Sequence, residues 1–419
     1  MIYFTRAVTL FVLLAAWLAL SVYGGVSGWW LSAIAPKNNT ELFITAIDEK
    51  IKSQNQGNTA FILIEDGKIA TEKYYSNNDK INGDTLFPLA SMSKLFAAYG
   101  VMQLVEDGKI NLDEPIENYL TRWHLPESEF DNNLVTTRLL LSHTAGLTDG
   151  LGFGDYTAEE SLPSIEESLQ HPRASADENK VIAIGIPPAT QWQYSGGGYL
   201  ILELLIEEVT GKPFADWMQT SVFNPLDLDR STYNYLGDLT NTANIYNENS
   251  EKILFFQYAS NAATGLSSSP NDLAKFIAAF LDQDANINKP MSDEYHKLMR
   301  EPTGYVLGAP IWGLGAMLYA PTNNNDFVFG HDGANSPAIN TALRIEPNGK
   351  DAIIVLASGN AQLASTVGYE WTLWKTGYPD FLAFDGAVKS ALVPASIGCL
   401  IIVILFIVFL KSRSRRNKI

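Results

Sequence analysis

The tetrapeptide Ser91-Met92-Ser93-Lys94 sets a hydroxyl and an amine three residues apart, directly ahead of the run Leu95 to Leu104, whose spacing predicts a helix beginning near the serine. At a helical i, i+3 offset the two side chains share a face, so the amine would lie beside the hydroxyl. A helix start adds positive potential and free N–H groups, which lower the pKa of an adjacent lysine and favour a developing oxyanion. A neutral lysine can then take the proton that a hydroxyl nucleophile must lose. The sequence holds no second Ser-x-x-Lys. The plainer reading of the same residues is a serine helix cap followed by a solvated lysine.

Two further segments carry functional groups. In Tyr194-Ser195-Gly196-Gly197-Gly198-Tyr199 the glycines imply a close-packed loop leading into an apolar helix from Leu200 to Val209. A tyrosine held in such a loop relays protons where a cation lowers its pKa, or simply anchors a turn. In Gly330-His331-Asp332-Gly333-Ala334, on a strand predicted to begin at Phe327, glycine marks close approach of another backbone or a ligand. His331 beside it would donate to a carboxylate or carbonyl, and the ordinary role of a lone histidine next to a turn is structural. His143, inside Leu141-Ser142-His143-Thr144-Ala145-Gly146-Leu147, reads as part of a hydrogen-bonded loop. A Ser-His-Asp mechanism has no Gly-x-Ser-x-Gly elbow to stand on.

Positioning these groups requires a sheet. Phe61 to Tyr75 reads as two strands joined through Asp66-Gly67, a hairpin signal, after a helix over Glu41 to Gln54. The pattern recurs in Ile339 to Ser358, with Pro347-Asn348-Gly349 at the turn and a helix predicted over Ala361 to Lys375. Between about Ser91 and Phe280 helix and long loop predominate. The economical architecture is α/β (α+β): one antiparallel sheet built from both ends of the exported region, with a helical insertion between them.

The chain has 419 residues, 46% apolar and 18% charged, which suits a packed globular protein and not a disordered one. Its net charge of −17 repels phosphate backbones, so nucleic acid is not an expected partner. The single cysteine, Cys399, can form neither an internal disulfide nor a thiolate metal cage, and the five histidines make no His-x-x-x-His or His-Glu-x-x-His pair. No metal and no cofactor is expected.

Ala391 to Leu410 is uncharged and long enough to span a bilayer as a helix. Lys411, Arg413, Arg415, Arg416 and Lys418 follow at once, which by the positive-inside rule keeps the tail in the cytoplasm and exports what precedes it. Arg6 followed by the apolar run Ala7 to Leu20 is a signal peptide or an uncleaved anchor. The organisation expected is a leader or anchor over 1–35, an extracytoplasmic domain over 36–388 on the periplasmic or extracellular face, a transmembrane helix over 389–410 and a basic tail over 411–419.

The three segments, in this order, resemble the penicillin-recognising serine hydrolases, in the branch holding class C β-lactamases, D-alanyl-D-alanine carboxypeptidases and esterases. Leu140-Leu141-Ser142-His143-Thr144-Ala145-Gly146-Leu147, Gly211-Lys212-Pro213-Phe214 and Gly265-Leu266-Ser267-Ser268 extend the likeness over roughly residues 40 to 376. It implies the β-lactamase/transpeptidase-like sandwich, with Ser91 as the acylated nucleophile, Lys94 as its base and Tyr194 passing protons to the leaving group. It also implies an oxyanion hole from the N–H groups of Ser91 and Ala334, with His331 and Gly333 lining the substrate side. His331 stands where class C β-lactamases have lysine, and Gly196 where the family motif Tyr-x-Asn has an amide that contacts the substrate's acylamido group. The expected substrate is a small molecule or peptide: a D-amino-acid peptide, a β-lactam-like compound or a small ester. The alternative is a catalytically weak envelope sensor or binding protein.

Overall fold

The computed structural model describes residues 2–77, 79–149, 155–173, 180–234, 240–254, 256–281, 290–322, 324–335 and 338–416. It divides into two compact units, one of residues 44–368 and one of residues 1–43 with 369–419.

The larger unit is organised on an eight-stranded sheet: β1 (Asn58–Glu65), β2 (Lys68–Ser76), β3 (Gly304–Val306), β4 (Ala309–Trp312), β5 (Met317–Pro321), β6 (Phe327–Asn335), β7 (Ile339–Glu346) and β8 (Asp351–Ser358). The spatial order is β2-β1-β8-β7-β6-β5-β4-β3, and the neighbours pair antiparallel. The N-terminal hairpin thus joins the last strand, with Ile62 opposite Ile354, as the two-ended pattern predicts. Asp66 and Gly67 at its tip both have positive φ, the twist-matched geometry of a two-residue hairpin. Strands β7 and β8 are buried at every position; Ala352 to Ala357 of β8 accordingly reads as a continuous apolar run, whereas β7 also buries Asn340, Thr341 and Arg344. The short strands β3, β4 and β5, of three to five residues each, went unpredicted.

One face of the sheet, including Ile62, Leu343, Ile354 and Leu356, shares a core with three helices: α1 (Ser93–Glu106), α2 (Gly196–Thr210) and α3 (Pro270–Leu281). Helix α1 carries twelve buried residues and is apolar nearly all round, as suits a helix at the centre of a domain. Helix α4, Leu363–Thr376, follows β8, one or two residues displaced from its predicted bounds. Ser365 on it bonds the Asn340 side chain of β7.

The smaller unit holds two long apolar helices, Ile2–Val26 and Leu392–Arg416. Segments Phe4–Val26 and Phe381–Ser412 are long and apolar enough to cross a membrane. Pro394 sits in the first turn of the second helix, where a missing N–H breaks no intrahelical bond. Lys418 lies outside the described residues.

Candidate active site

Ser91 occupies a short 3-10 turn, Ala90–Met92, just before α1 and not the helix itself. Ala90 has φ +50°, a left-handed conformation that non-glycine residues rarely adopt. The turn is held from both sides. The Leu89 N–H donates to Leu266 O at 2.9 Å, and Ser93 Oγ donates to Ala90 O at 2.7 Å while accepting the Leu266 N–H at 3.0 Å. From the sheet, Thr341 Oγ1 donates to Leu89 O at 2.9 Å. Gly333 permits this approach, since a Cβ there would stand 2.1 Å from Leu89 O.

Lys94 is fully buried. Its Nζ lies 3.3 Å from Ser91 Oγ and donates to Ala263 O at 2.9 Å. It stands 4.9 Å above the Tyr194 ring and 5.5 Å from that of Tyr199. Burial pulls its pKa down to about 7, against the opposing pull of the Asp149 carboxylate. The sequence reading attributed such a depression to the helix start; desolvation is the larger cause.

Tyr194 is half-buried, with the Ser91 side chain near its hydroxyl. Lys94 Nζ thus lies between Ser91 Oγ and the Tyr194 ring, and the three side chains gather in one place. The expectation that a cation lowers the phenol's pKa is corrected: burial pushes it up, so Tyr194 is a neutral phenol around pH 7. The glycines after it are not a loop. Helix α2 begins at Gly196, and Ser195 caps it by accepting the Gly198 N–H at 2.8 Å. Gly196 itself is buried in the first turn.

His331 is fully buried on β6, its ring edge-on to Trp312 at 5.4 Å. Its Nδ1 bonds Asp332 O at 2.5 Å, and burial with the nearby Lys94 charge lowers its pKa to about 3, so it is a neutral imidazole. Ala334 is exposed and pairs with Asn340 in the β6–β7 register. His143 is buried with a positive φ. It accepts the Ser195 N–H on Nδ1 at 3.2 Å and packs 4.5 Å from Tyr194 and 4.7 Å from Trp312. It serves as a brace for the tyrosine segment.

Two acids escaped the sequence reading. Asp149, 6% exposed, accepts from Ser195 Oγ at 2.5 Å and from the Gly197 N–H at 2.9 Å, tying down Ser195 and Gly197 behind the tyrosine. Desolvation raises its pKa. Glu203, a lone acid in the apolar stretch of α2, bonds the turn that carries Ala263. A carboxylate inside the apolar run Leu200 to Ile206 was a legible signal. Asp149 had none, because its partners are 46 and 48 residues away.

A serine, a buried amine and a phenol converge at the junction of a sheet and a helical region on an α/β scaffold. The profile of the family described as Beta-lactamase matches residues 43–374, and the chain belongs to that family. Penicillin-binding protein 4* of Bacillus subtilis (strain 168) is 28% identical over 200 residues, 46% of this chain and 42% of that protein. Teichoic acid D-alanine hydrolase of Staphylococcus aureus (strain MRSA252) is 27% identical over 228 residues, 53% of this chain and 50% of its own length. The chain thus spans about half of these curated relatives or less. The octameric penicillin-binding protein homologue from Pyrococcus abyssi has the same fold, with a TM-score of 0.62, 23% identity and coverage of 80% of this chain and 76% of that one.

Proposed function

We propose that this chain is a membrane-anchored serine hydrolase that works through an acyl-enzyme at Ser91 on a small amide or ester. The observation that carries the reading is the gathering of three side chains: Lys94 Nζ lies 3.3 Å from Ser91 Oγ and 4.9 Å from the centre of the Tyr194 ring. With its pKa near 7, Lys94 is partly neutral at physiological pH and accepts the Ser91 proton as Oγ bonds to the substrate carbonyl carbon. The oxyanion is received by the main-chain N–H groups of Ser91 and Ala334. Collapse of the tetrahedral species breaks the bond to the leaving group, which takes a proton through Tyr194. Water then attacks the ester in the reverse sense, releasing the acid and restoring the Ser91 hydroxyl. His331 and Gly333, together with Gly196, line the substrate side.

Substrates of D-amino-acid type, as peptides, β-lactam-like compounds or esters, fit a family in which one relative is named as a D-alanine hydrolase. The neutral His331, in place of a permanent cation, favours an acyl donor that does not depend on carboxylate pairing at that position.

The catalytic domain lies outside the cytoplasm, held by the C-terminal helix. The N-terminal helix packs along that helix: Trp17 Nε1 donates to Pro394 O at 3.1 Å, and Gly398 lies beneath the indole, where a Cβ would stand 1.9 Å from Nε1. This packing supports a retained N-terminal anchor over a cleaved signal peptide.

The test is labelling of the full chain with a fluorescent penicillin or fluorophosphonate before and after Ser91→Ala. Wild type is labelled and the variant is silent. Labelling of a folded Ser91→Ala protein at the wild-type rate ends the proposal.

A further inference from the structure

Glu203 is 4% exposed on α2, where a carboxyl is costly unless it has partners. The partners it has on the helical turn Asn261–Gly265 and its cap form one connected set. Its Oε2 accepts the Ala262 N–H at 2.9 Å and the Ser260 hydroxyl at 3.2 Å. Ser260 Oγ in turn accepts the Ala263 N–H at 3.1 Å. The Ala263 carbonyl accepts from Lys94 Nζ at 2.9 Å. A continuous path of hydrogen bonds therefore runs from Glu203 to the amine beside Ser91.

We infer that Glu203 is a positioning residue for acylation: by fixing the turn 261–265 it aims the Ala263 carbonyl at Lys94 and so orients the amine on Ser91. The inference rests on Ser91 and Lys94 acting as proposed above. A neutral amine has two N–H groups and one lone pair. With one N–H held by Ala263 O, the lone pair is confined to directions that include the Ser91 hydroxyl, which free rotation about the terminal bond would otherwise dilute. Burial, helped by the Glu207 charge one turn along, pushes the Glu203 carboxyl up to about 8. It is therefore a neutral acid over the range where Lys94 loses its proton, and an amide of the same shape can replace it. Tyr233, Ser260, Asn261 and Glu207 are the polar groups that face it. The groups that face Lys94 are Asp149, Tyr194, Tyr199, His143 and His331.

The experiment measures fluorophosphonate labelling rates against pH and probe concentration for the full chain and for Glu203→Gln, Glu203→Leu, Ser260→Ala and Ser91→Ala. Glu203→Gln stays within about threefold of wild type with the same acid limb. Glu203→Leu and Ser260→Ala label about 10- to 100-fold more slowly, the scale of a misplaced catalytic group. Their half-saturating probe concentration is unchanged. Their acid limb moves to lower pH, because an amine that loses a carbonyl acceptor is less easily protonated. If Glu203→Leu does not fold, Ser260→Ala decides, since it leaves α2 intact. A Ser260→Ala or Glu203→Leu protein with the wild-type rate and limb overturns the inference, as does a Glu203→Gln protein as slow as Glu203→Leu. With Ser91→Ala silent, those failures refute only the role of Glu203. Undiminished labelling of Ser91→Ala refutes the nucleophile, and the inference with it.

Discussion

Replacing Lys94 by methionine separates what the amine does from what its burial costs. The folded amine has a pKa of about 7 against an ordinary 10.5, with desolvation as the main cause. At ~1.4 kcal/mol per tenfold change in proton affinity, that gap corresponds to about 5 kcal/mol opposing the charged lysine in the fold. The unfolded lysine keeps its proton up to pH 10.5, while the folded one gives it up near 7. Between those values folding releases a proton, so wild-type stability rises with pH across this window and the full penalty is present below it. Methionine has no such dependence. The stability of Lys94→Met relative to wild type therefore falls by about 3 kcal/mol from about pH 6 to about pH 9, measured by chemical denaturation at matched ionic strength. On the same samples, acylation by a fluorophosphonate rises through pH about 7 in wild type. In the variant it is about 100- to 10,000-fold slower and has no such limb. A stability difference that stays flat between those pH values, or a variant labelled at the wild-type rate, refutes the account of Lys94 as a desolvated base.

Asp149→Ala leaves the Ser195 hydroxyl and the Gly197 N–H without their acceptor; it should cost about 1–3 kcal/mol of stability in thermal or denaturant unfolding and slow labelling at least about tenfold, whereas unchanged labelling would show that Tyr194 is held by other means. Residues 1–35 should remain on the membrane-extracted protein, as judged by its intact mass, and a mature terminus at or near Pro36 would contradict the paired anchor drawn from the Trp17–Pro394 contact.

How far the sequence could be read follows from the range over which each feature is encoded. The hairpin at Asp66-Gly67 and the helix that carries Lys94 are local: turn chemistry and apolar periodicity name them within a few residues. The buried strands β7 and β8 were legible for the same reason. Strands β3 to β5 were not, because strands of only three to five residues owe their conformation to the neighbours they pair with and not to a pattern of their own. The site divides along the same line. Ser91 and Lys94 announced themselves by spacing, and Tyr194 by its glycines, yet the cause of each pKa lay in tertiary burial and was misassigned when only local dipoles and charges were weighed. The glycine run shows why. Read locally, Gly196 to Gly198 is a close-packed loop. In the fold it is the capped start of a helix, and a Cβ at Gly197 would stand 2.7 Å from the Ile182 side chain. In the same fold His143 accepts the Ser195 N–H and Asp149 accepts from Ser195 Oγ, which fixes the residue that follows Tyr194. The groups that could do chemistry are thus declared by short motifs. The groups that make them work, Asp149 and Glu203, are single acids whose meaning exists only once the sheet and the helices have brought their partners to them.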